Sequence, residues 1–333
     1  ILTLGVDHQD NNRNAVRIAG PPDGTAGPSM VQSIMWPDVS LKQTGLFAEA
    51  ALPAGEKGMF KAGIRYDRVE TAAPKADSAA VNIAGNATPN DLYTYYYGIG
   101  ARDFSEDNTA GFLRYERAVG DGRGLFYGSF SRSVRTADAT ERFLAANNPT
   151  AMARWVGNPN IDREQHHQFE AGLSWGAERW TANVSAFYND VGDFILRDRA
   201  HGQEAILRDD GATIYRNVEA ELKGYELDFT VDWTERFSMR AMASYVRAEN
   251  ETDGRPIAQI PPLEGLLGVE YRAERWGVGA DLRFAEDQSR VDDDPAAGSG
   301  MDPGETPGYG VLDLFGDYSF SPDRTLSFGV RNV

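Results

Sequence analysis

The 333-residue sequence contains no cysteine. It therefore has no disulfide framework, no thiolate metal site and no cysteine nucleophile. Positive charge is also scarce, since 33 lysines and arginines stand against 50 aspartates and glutamates, which gives a net charge of −17. A nucleic-acid partner requires clustered lysine and arginine, so this charge balance argues against one.

Long apolar runs are missing as well. No run approaches the roughly 18 apolar residues of a membrane-spanning helix, and the mean hydropathy is −0.47. The sequence also lacks the motifs of serine hydrolases, zinc proteases, P-loop proteins and dinucleotide-binding enzymes. We therefore expect no enzyme activity and no required cofactor.

Strict alternation of apolar and polar residues is the main pattern that is present. In residues 225–233 every second residue is apolar or aromatic, and the polar residues between them include Glu226, Asp228 and Asp232. This pattern predicts a strand with one apolar face and one wet face. It fits a transmembrane barrel, and a soluble β-sandwich binding module would show it too. In a barrel the three carboxylates would face the lumen and bond arginines on neighbouring strands.

The spacing of the turns favours the barrel. About thirteen strands can be identified, and the connections between them alternate between long and short along the whole chain. Outer-membrane barrels have short periplasmic turns and long extracellular loops, whereas a sandwich has no reason to keep this alternation. We therefore predict an all-β fold, an antiparallel transmembrane β-barrel. Six aromatic residues flank the short turns and predict a girdle at one membrane interface: Trp175, Trp180, Trp233, Phe237, Trp276 and Phe320.

A series of short motifs resembles the TonB-dependent receptors. The motifs follow the family's order over roughly residues 160–333, and Arg163 stands where the family usually has proline. They are NPNI at 158–161, FEAGL at 169–173, ANVSAFYN at 182–189, IPP at 260–262, GYGVLDL at 308–314 and GVRN at 329–332. Because they occur in order, the series is more specific than any one motif.

The resemblance implies a 22-stranded barrel with a plugged lumen, located in the outer membrane of a Gram-negative bacterium. It implies energised uptake of a metal ion, with copper suggested by similarity to the copper-receptor branch, or of a metal chelate such as a siderophore. Residues 1–333 would be a partial barrel domain that lacks the N-terminal plug domain and the final strand. The implied partners are outer-membrane lipid, the metal or chelate, and the TonB complex, which would bind through the missing plug segment. A passive outer-membrane porin is the alternative.

Candidate substrate ligands lie near the predicted long loops. His8, Met30 and Met35 lie on or near the first of these loops, and imidazole and thioether groups are suitable copper ligands. Loop packing and a solvated strand end are the alternative for these three residues. A tyrosine cluster could stack on an aromatic siderophore or extend the sheet as a strand: Tyr93, Tyr95, Tyr96 and Tyr97.

Two other groups, a histidine pair and an aspartate run, carry side chains that can bind metal ions. His166 and His167 are adjacent on a predicted strand, so they point to opposite faces and cannot readily share one metal ion. Asp292, Asp293 and Asp294 could bind calcium, but their spacing lacks the Asp-x-Asp-x-Asp-Gly pattern of a dedicated calcium loop. We expect this acidic run to be a solvated loop tip.

Overall fold

A computed structural model describes residues 1–19, 30–80 and 88–333. All of its strands belong to one 16-stranded sheet. Thirteen of them follow one another across the sheet in chain order, each antiparallel to the next, and three short strands lie off this path. The strands are β1 (Leu2–Ala19), β2 (Met30–Pro53), β3 (Gly58–Ala72), β4 (Phe104–Val119), β5 (Gly124–Arg135), β6 (Ala145–Ala146), β7 (Trp155–Val156), β8 (Glu164–Ala177), β9 (Trp180–His201), β10 (Asp209–Asp232), β11 (Phe237–Asn250), β12 (Arg255–Pro256), β13 (Glu264–Arg272), β14 (Trp276–Ala285), β15 (Tyr309–Ser321) and β16 (Arg324–Val330).

The helical elements are few and short. They are α1 (Pro89–Tyr97), α2 (Ala139–Phe143) and two 3₁₀ turns at Gly120–Gly122 and Ala151–Ala153. No helix in the described ranges is long and apolar enough to cross a membrane.

The all-β antiparallel prediction is confirmed, including the thirteen strands and the alternating connections. The short turns are two to four residues long, for example 54–57 and 178–179, and all lie at one end of the strands. The sheet is open within the described residues, since β1 and β16 each pair with one neighbour only. Because every strand of the described ranges belongs to this one sheet, no second sheet within those ranges packs on its apolar face, and the β-sandwich alternative is wrong.

The two faces of the sheet differ as the alternation predicts. Tyr225, Leu227 and Trp233 on the apolar side remain 44%, 37% and 59% exposed. Aromatic rings cluster on this side near the short turns, where the ring centroids of Tyr271 and Trp276 are 5.4 Å apart. Exposed apolar and aromatic side chains in such bands match the lipid-facing side of a membrane barrel.

One turn shows how closely these aromatic rings pack. The ring of Trp175 lies across the hairpin that joins β4 and β5, where its backbone partner is Gly124. A Cβ atom at position 124 would lie 2.5 Å from that ring. Glycine is therefore needed there for the tryptophan to reach this position.

The main buried core lies at the long-loop end of the strands. We call α1 together with residues 136–163 the crossbar. Its side chains Tyr93, Phe143 and Val156 are almost fully buried against Val39 of β2 and Ile214 of β10. Because five strands separate β2 from β10 in the sheet, the crossbar spans from one part of the sheet to another and does not extend any single hairpin.

The alternative that residues 93–97 extend the sheet as a strand is wrong, because this segment is helix α1. Thr88 caps the helix N-terminus, with its side chain accepting a hydrogen bond from the Asp91 backbone. Gly98 ends it with φ of 75°, a left-handed conformation that favours glycine. The helical spacing places Tyr93 and Tyr96 on one buried face. The capping residues Thr88 and Gly98 therefore outweigh the β-propensity of the tyrosines.

Candidate functional site

The polar face of the sheet carries cross-strand ion pairs. On β3, the Arg65 guanidinium lies 2.7 Å from an Asp7 carboxylate oxygen on β1 and 2.6 Å from Asp67. Lys61 of β3 lies 2.9 Å from Glu116 of β4. These three carboxylates are therefore neutralised by cations within the same face.

The same arrangement continues on later strands. Arg240 of β11 bonds Asp281 of β14 at 2.7 Å, and Arg283 of β14 bonds Asp313 of β15 at 2.7 Å. These pairs cross one or two strands and are partly exposed. Each contributes little stability by itself, because solvent screens exposed pairs.

Several carboxylates on this face have no such partner, and three of them line one surface. Glu226 of β10, Asp228 of β10 and Glu264 of β13 form no ion pair or hydrogen bond among the described residues. In the register, Glu226 lies opposite Ser244, and Ser244 lies opposite Glu264. Strands are about 4.8 Å apart, so the two glutamates are about 10 Å apart at the backbone. These three carboxylates therefore carry negative charge that no direct ion pair neutralises.

The prediction that Glu226, Asp228 and Asp232 bond arginines on neighbouring strands is wrong. The residues opposite Asp228 are Asn183 and Met242, and the residue opposite Asp232 is Ser238. The register therefore places amide, thioether and hydroxyl groups beside these carboxylates. Their position on the polar face still agrees with the alternation.

A concavity of about 580 Å³ lies over these unpaired carboxylates. We call its lining the acidic wall. The wall includes Glu226, Asp228 and Glu264, together with the thioether of Met242 and the phenol of Tyr309. The lining also contains Arg283, whose charge is taken up by its ion pair with Asp313. It therefore combines negative charge with one soft sulfur ligand.

A second concavity of about 440 Å³ continues from the acidic wall toward the long loops. The two share Glu264 and Tyr309 in their linings. The second is lined mainly by apolar residues of the connections after β12 and β14, among them Ile260, Pro261 and Pro303. The two concavities therefore adjoin at Glu264 and Tyr309, with the second on the side of the long loops.

The crossbar is fixed by hydrogen bonds at both of its ends. At one end, Arg13 of β1 donates to the Thr140 hydroxyl at 2.7 Å, and the Ser33 hydroxyl donates to the Ala145 carbonyl at 2.8 Å. At the other end, the Thr213 amide of β10 donates to the Arg154 carbonyl at 3.0 Å. This part of the loop layer is therefore closed.

A buried ion pair holds α2 on the sheet. The Arg142 guanidinium lies 2.8 Å from the Glu106 carboxylate of β4, with side chains only 1% and 4% exposed. It also lies 4.4 Å from the centre of the Phe104 ring. The Thr136 hydroxyl donates to the other Glu106 oxygen at 2.9 Å. Burial lowers the pKa of Arg142, and the Glu106 charge opposes that shift.

The other long connections meet at a charged cluster that we call the Asp198 hub. Asp198 of β9 is fully buried and accepts hydrogen bonds from Arg216 at 2.8 Å and Arg255 at 2.9 Å. Arg255 also donates to Asp292 at 3.0 Å. Burial raises the pKa of Asp253 in this hub, but its bonds to Arg216 outweigh burial, so the net shift is downward.

The structure does not bring His8, Met30 and Met35 together. His8 lies within β1, opposite Thr44, whose hydroxyl is 2.9 Å from its Nδ1 atom. His8 is two residues from Val6 on the strand, so both side chains lie on the apolar face. Met30 pairs with Ala19, eleven residues farther along β1, or roughly 36 Å at strand spacing. These residues therefore do not form a shared metal site in this conformation, and their metal-binding role stays a prediction.

The four tyrosines of the predicted cluster are mainly structural. The hydroxyl of Tyr93 donates to the Phe143 carbonyl at 2.6 Å, and that of Tyr97 donates to the Val156 carbonyl at 2.9 Å. Burial raises the pKa of Tyr93 and of Tyr96. Tyr95 is half-buried, with the Arg208 guanidinium 3.8 Å from its ring centre.

Tyr93 and Tyr96 have no exposed ring surface that could stack on a substrate here. The stacking hypothesis therefore stays a prediction for the partly exposed Tyr95 and Tyr97.

The two histidines and the aspartate run also have structural partners. His166 lies 3.0 Å from Glu164 and 3.0 Å from Asn189, and His167 follows it on the strand and so faces the opposite side. Asp292 is only 4% exposed, so the prediction of a solvated loop tip is wrong for this residue. Backbone amides of the next turn lower the pKa of Asp294. Within the described ranges, no three His, Asp or Glu side chains are grouped to hold a metal ion.

Sequence reasoning missed the residues that define this region. Met242 alternates with Ala241 and Ala243 in an ordinary strand pattern, so it carries no signal until the register places it beside Asp228. Asp198 was missed because its partners lie 18 and 57 residues away. Neither position follows from local spacing.

The fold and the site define a class of protein, the wall of a membrane β-barrel with an acidic inner surface. Comparison with known proteins gives the family. A model described as TonB dependent receptor-like, beta-barrel, matches residues 1–333. The chain therefore belongs to the TonB-dependent receptor β-barrel family, which confirms the resemblance carried by the motifs. Members of this family are transport receptors of the Gram-negative outer membrane.

Several known proteins are similar to this chain. The copper transporter OprC superposes with a TM-score of 0.80 at 25% identity, covering 100% of this chain and 49% of OprC. The metal-pseudopaline receptor CntO of Pseudomonas aeruginosa is 30% identical over 122 residues, or 34% of this chain and 17% of that protein. The rhizobactin receptor of Rhizobium meliloti is 21% identical, covering 100% of this chain and 44% of that receptor. The chain thus spans at most about half the length of these relatives.

Proposed function

We propose that this chain forms thirteen of the barrel strands of a TonB-dependent receptor that imports a metal ion, with copper as the first candidate, or a metal chelate. Three similar proteins support this proposal by their names, since they are a copper transporter, a metal-pseudopaline receptor and a rhizobactin receptor. Uptake would be powered by the TonB complex through a plug domain, as in the family.

The observation that carries the cargo assignment is the acidic wall. Glu226, Asp228 and Glu264 form no ion pair among the described residues, whereas Asp7, Asp281 and Asp313 on the same face are each paired with an arginine. An uncompensated negative surface attracts cations and repels anionic chelates. Met242 adds a thioether, which suits a soft metal such as Cu(I). The wall therefore favours a free metal cation, or a chelate with net positive charge, over an anionic chelate.

The proposal is tested on the intact receptor with its plug. Isothermal titration with Cu(I) and Cu(II), together with copper uptake by cells, would compare the wild type with a variant carrying Glu226→Gln, Asp228→Asn and Glu264→Gln. We expect weaker binding and slower uptake in this variant. A control with Glu178→Gln, Glu235→Gln and Glu274→Gln makes the same charge change at the short turns and should leave uptake unchanged. Equal copper binding and uptake in all three proteins would refute a role for the acidic wall.

The porin alternative makes a different prediction for energy coupling. Uptake by a TonB-dependent receptor stops when the proton-motive force is removed, whereas diffusion through a passive porin continues. Measuring copper uptake with and without an uncoupler therefore separates the two functions. Uptake that persists unchanged after uncoupling would favour the porin.

A further inference from the structure

A basic residue ends every short turn of the sheet. In each of the six turns, a lysine or arginine is the last residue before the next strand or the first residue within it, and an acidic residue stands one or two positions earlier. The basic residues are Lys57, Arg123, Arg179, Arg236, Arg275 and Arg324. In three turns the sequence is Glu-Arg followed by an aromatic residue, at 178–180, 235–237 and 274–276. We call the six basic residues the basic rim.

The backbone holds the members of this rim at equivalent positions. The carbonyl of Arg123 accepts a hydrogen bond from Gly176 at 2.7 Å, and that of Arg179 accepts one from Asp232 at 2.7 Å. The carbonyls of Arg236 and Arg275 accept equivalent bonds, also at 2.7 Å. Each turn is thus fixed to the next hairpin, and successive basic residues are two strands, or about 10 Å, apart.

The charged groups of this rim are mostly free to bind something else. All six side chains are exposed. In the part of the chain that the structure describes, Lys57 has an ion pair, with Asp121 at 3.5 Å, whereas Arg179, Arg236 and Arg275 have none. The neighbouring glutamates therefore do not neutralise these three arginines by direct contact.

The position of the rim relative to the aromatic band suggests the partner. Trp180, Phe237 and Trp276 directly follow Arg179, Arg236 and Arg275, and they belong to the aromatic band near the short turns. Such bands lie at the level of lipid headgroups, and long basic side chains extend from there toward the interface. A guanidinium matches phosphate in charge and in hydrogen-bonding geometry. A row of arginines just beyond the aromatic band would therefore meet the phosphate layer.

We propose that the basic rim binds the phosphate groups of anionic phospholipids in the periplasmic leaflet of the outer membrane. The rim then fixes the depth and orientation of the barrel in the membrane. This proposal rests on the membership of the family and is independent of the cargo.

The test uses the full-length receptor in vesicles that contain brominated lipids. Trp180 and Trp276 lie beside the rim, so quenching of tryptophan fluorescence reports which lipid occupies it. Brominated phosphatidylglycerol is compared with brominated phosphatidylcholine in the wild type and in a variant with Arg179→Gln, Arg236→Gln and Arg275→Gln. A basic residue near an anionic membrane surface changes binding about fivefold. We expect the wild type to prefer the anionic lipid, and the variant to lose at least about tenfold of that preference.

Three controls make the result specific. The variant with Glu178→Gln, Glu235→Gln and Glu274→Gln alters the same turns with the opposite charge change, and it should keep or increase the preference. Salt at 0.5 M should weaken the wild-type preference, because screening is strong at that ionic strength. Free inorganic phosphate added to the vesicles should not reduce the quenching by brominated phosphatidylglycerol. This result separates a lipid site from a general phosphate site. Gel mobility before and after heating establishes that each variant barrel is folded.

Two results would overturn the proposal. One is a wild type that shows no preference for phosphatidylglycerol over phosphatidylcholine. The other is an arginine variant that is folded and keeps the full preference. Copper uptake is measured separately, so failure of the lipid test leaves the cargo proposal standing.

Discussion

Replacing Arg142 by alanine should open the crossbar without unfolding the barrel. The substitution leaves the Glu106 carboxylate buried with the Thr136 hydroxyl as its remaining described hydrogen-bond donor. Because the Arg142 and Glu106 side chains are 1% and 4% exposed, solvent does not screen the carboxylate charge that the substitution leaves unpaired. Breaking such a buried pair costs about 3–5 kcal/mol.

This cost should appear as local opening of residues 136–163. The barrel strands are held by their own backbone ladders, so the free energy of opening falls for the crossbar and not for the sheet. A loss of about 3–5 kcal/mol corresponds to an increase of about 10²- to 4 × 10³-fold in the open population. Hydrogen–deuterium exchange of the intact receptor should therefore accelerate by that factor in α2, with little change in β8 to β11.

The double variant Arg142→Met with Glu106→Gln gives the matched control. It removes both charges and keeps side chains of similar length, so its crossbar should be close to the wild type in stability. An exchange increase of less than tenfold in the single variant would show that the ion pair does not hold the crossbar. A double variant as open as the single one would show that the guanidinium group itself, through its bond to the Pro159 carbonyl and its contact with the Phe104 ring, holds the crossbar, and that the unpaired Glu106 charge is not the cause.

Three further results follow from the other buried contacts. Tyr93→Phe leaves the Phe143 carbonyl without its donor, which costs about 1–3 kcal/mol and should accelerate exchange in α1; unchanged exchange would contradict this. Asp198→Asn removes the buried carboxylate that Arg216 and Arg255 share, so these two arginines keep Asp253 as their remaining common partner. Residues 286–308 should then become sensitive to protease while the crossbar stays resistant, and equal cleavage of both would be the contrary result. The lowered pKa of Asp253 means that its stabilising effect is complete above the ordinary value of 3.8 and is lost as pH falls through the lower folded value. Exchange corrected for its intrinsic pH dependence should therefore stay constant in this loop from pH 8 to pH 5 and rise below 3.8, and a rise near pH 6 would exclude this group.

Sequence reasoning recovers the parts of this protein that depend on local periodicity. Alternation within residues 225–233 gives both faces of β10, and the spacing of turn residues gives thirteen strands with the correct order of long and short connections. These features depend on residues two positions apart or on one hairpin at a time. These features can therefore be predicted without knowledge of any distant contact.

The site depends on contacts that local patterns do not contain. The absence of cations near Glu226 is a property of the residues on β9 and β11, which the register selects. The same holds for the crossbar, where Arg13 reaches Thr140 across 127 positions of the chain. The strand alternative for the tyrosine segment is wrong for a different reason. Thr88 and Gly98 are local capping signals, and they outweigh the β-propensity of the tyrosines.

The two closures at the loop end differ in how they can open, and this difference locates the entrance. Opening the crossbar exposes the apolar surface of Tyr93, Phe143 and Val156 to water, which opposes the motion. Opening the Asp198 hub exposes charged groups, which water solvates well, so part of the lost ion pairing is recovered. The connections that the hub holds also line the second concavity, which adjoins the acidic wall at Glu264. We therefore expect cargo to enter between the connections after β12 and β14, while the crossbar remains in place as a fixed part of the mouth.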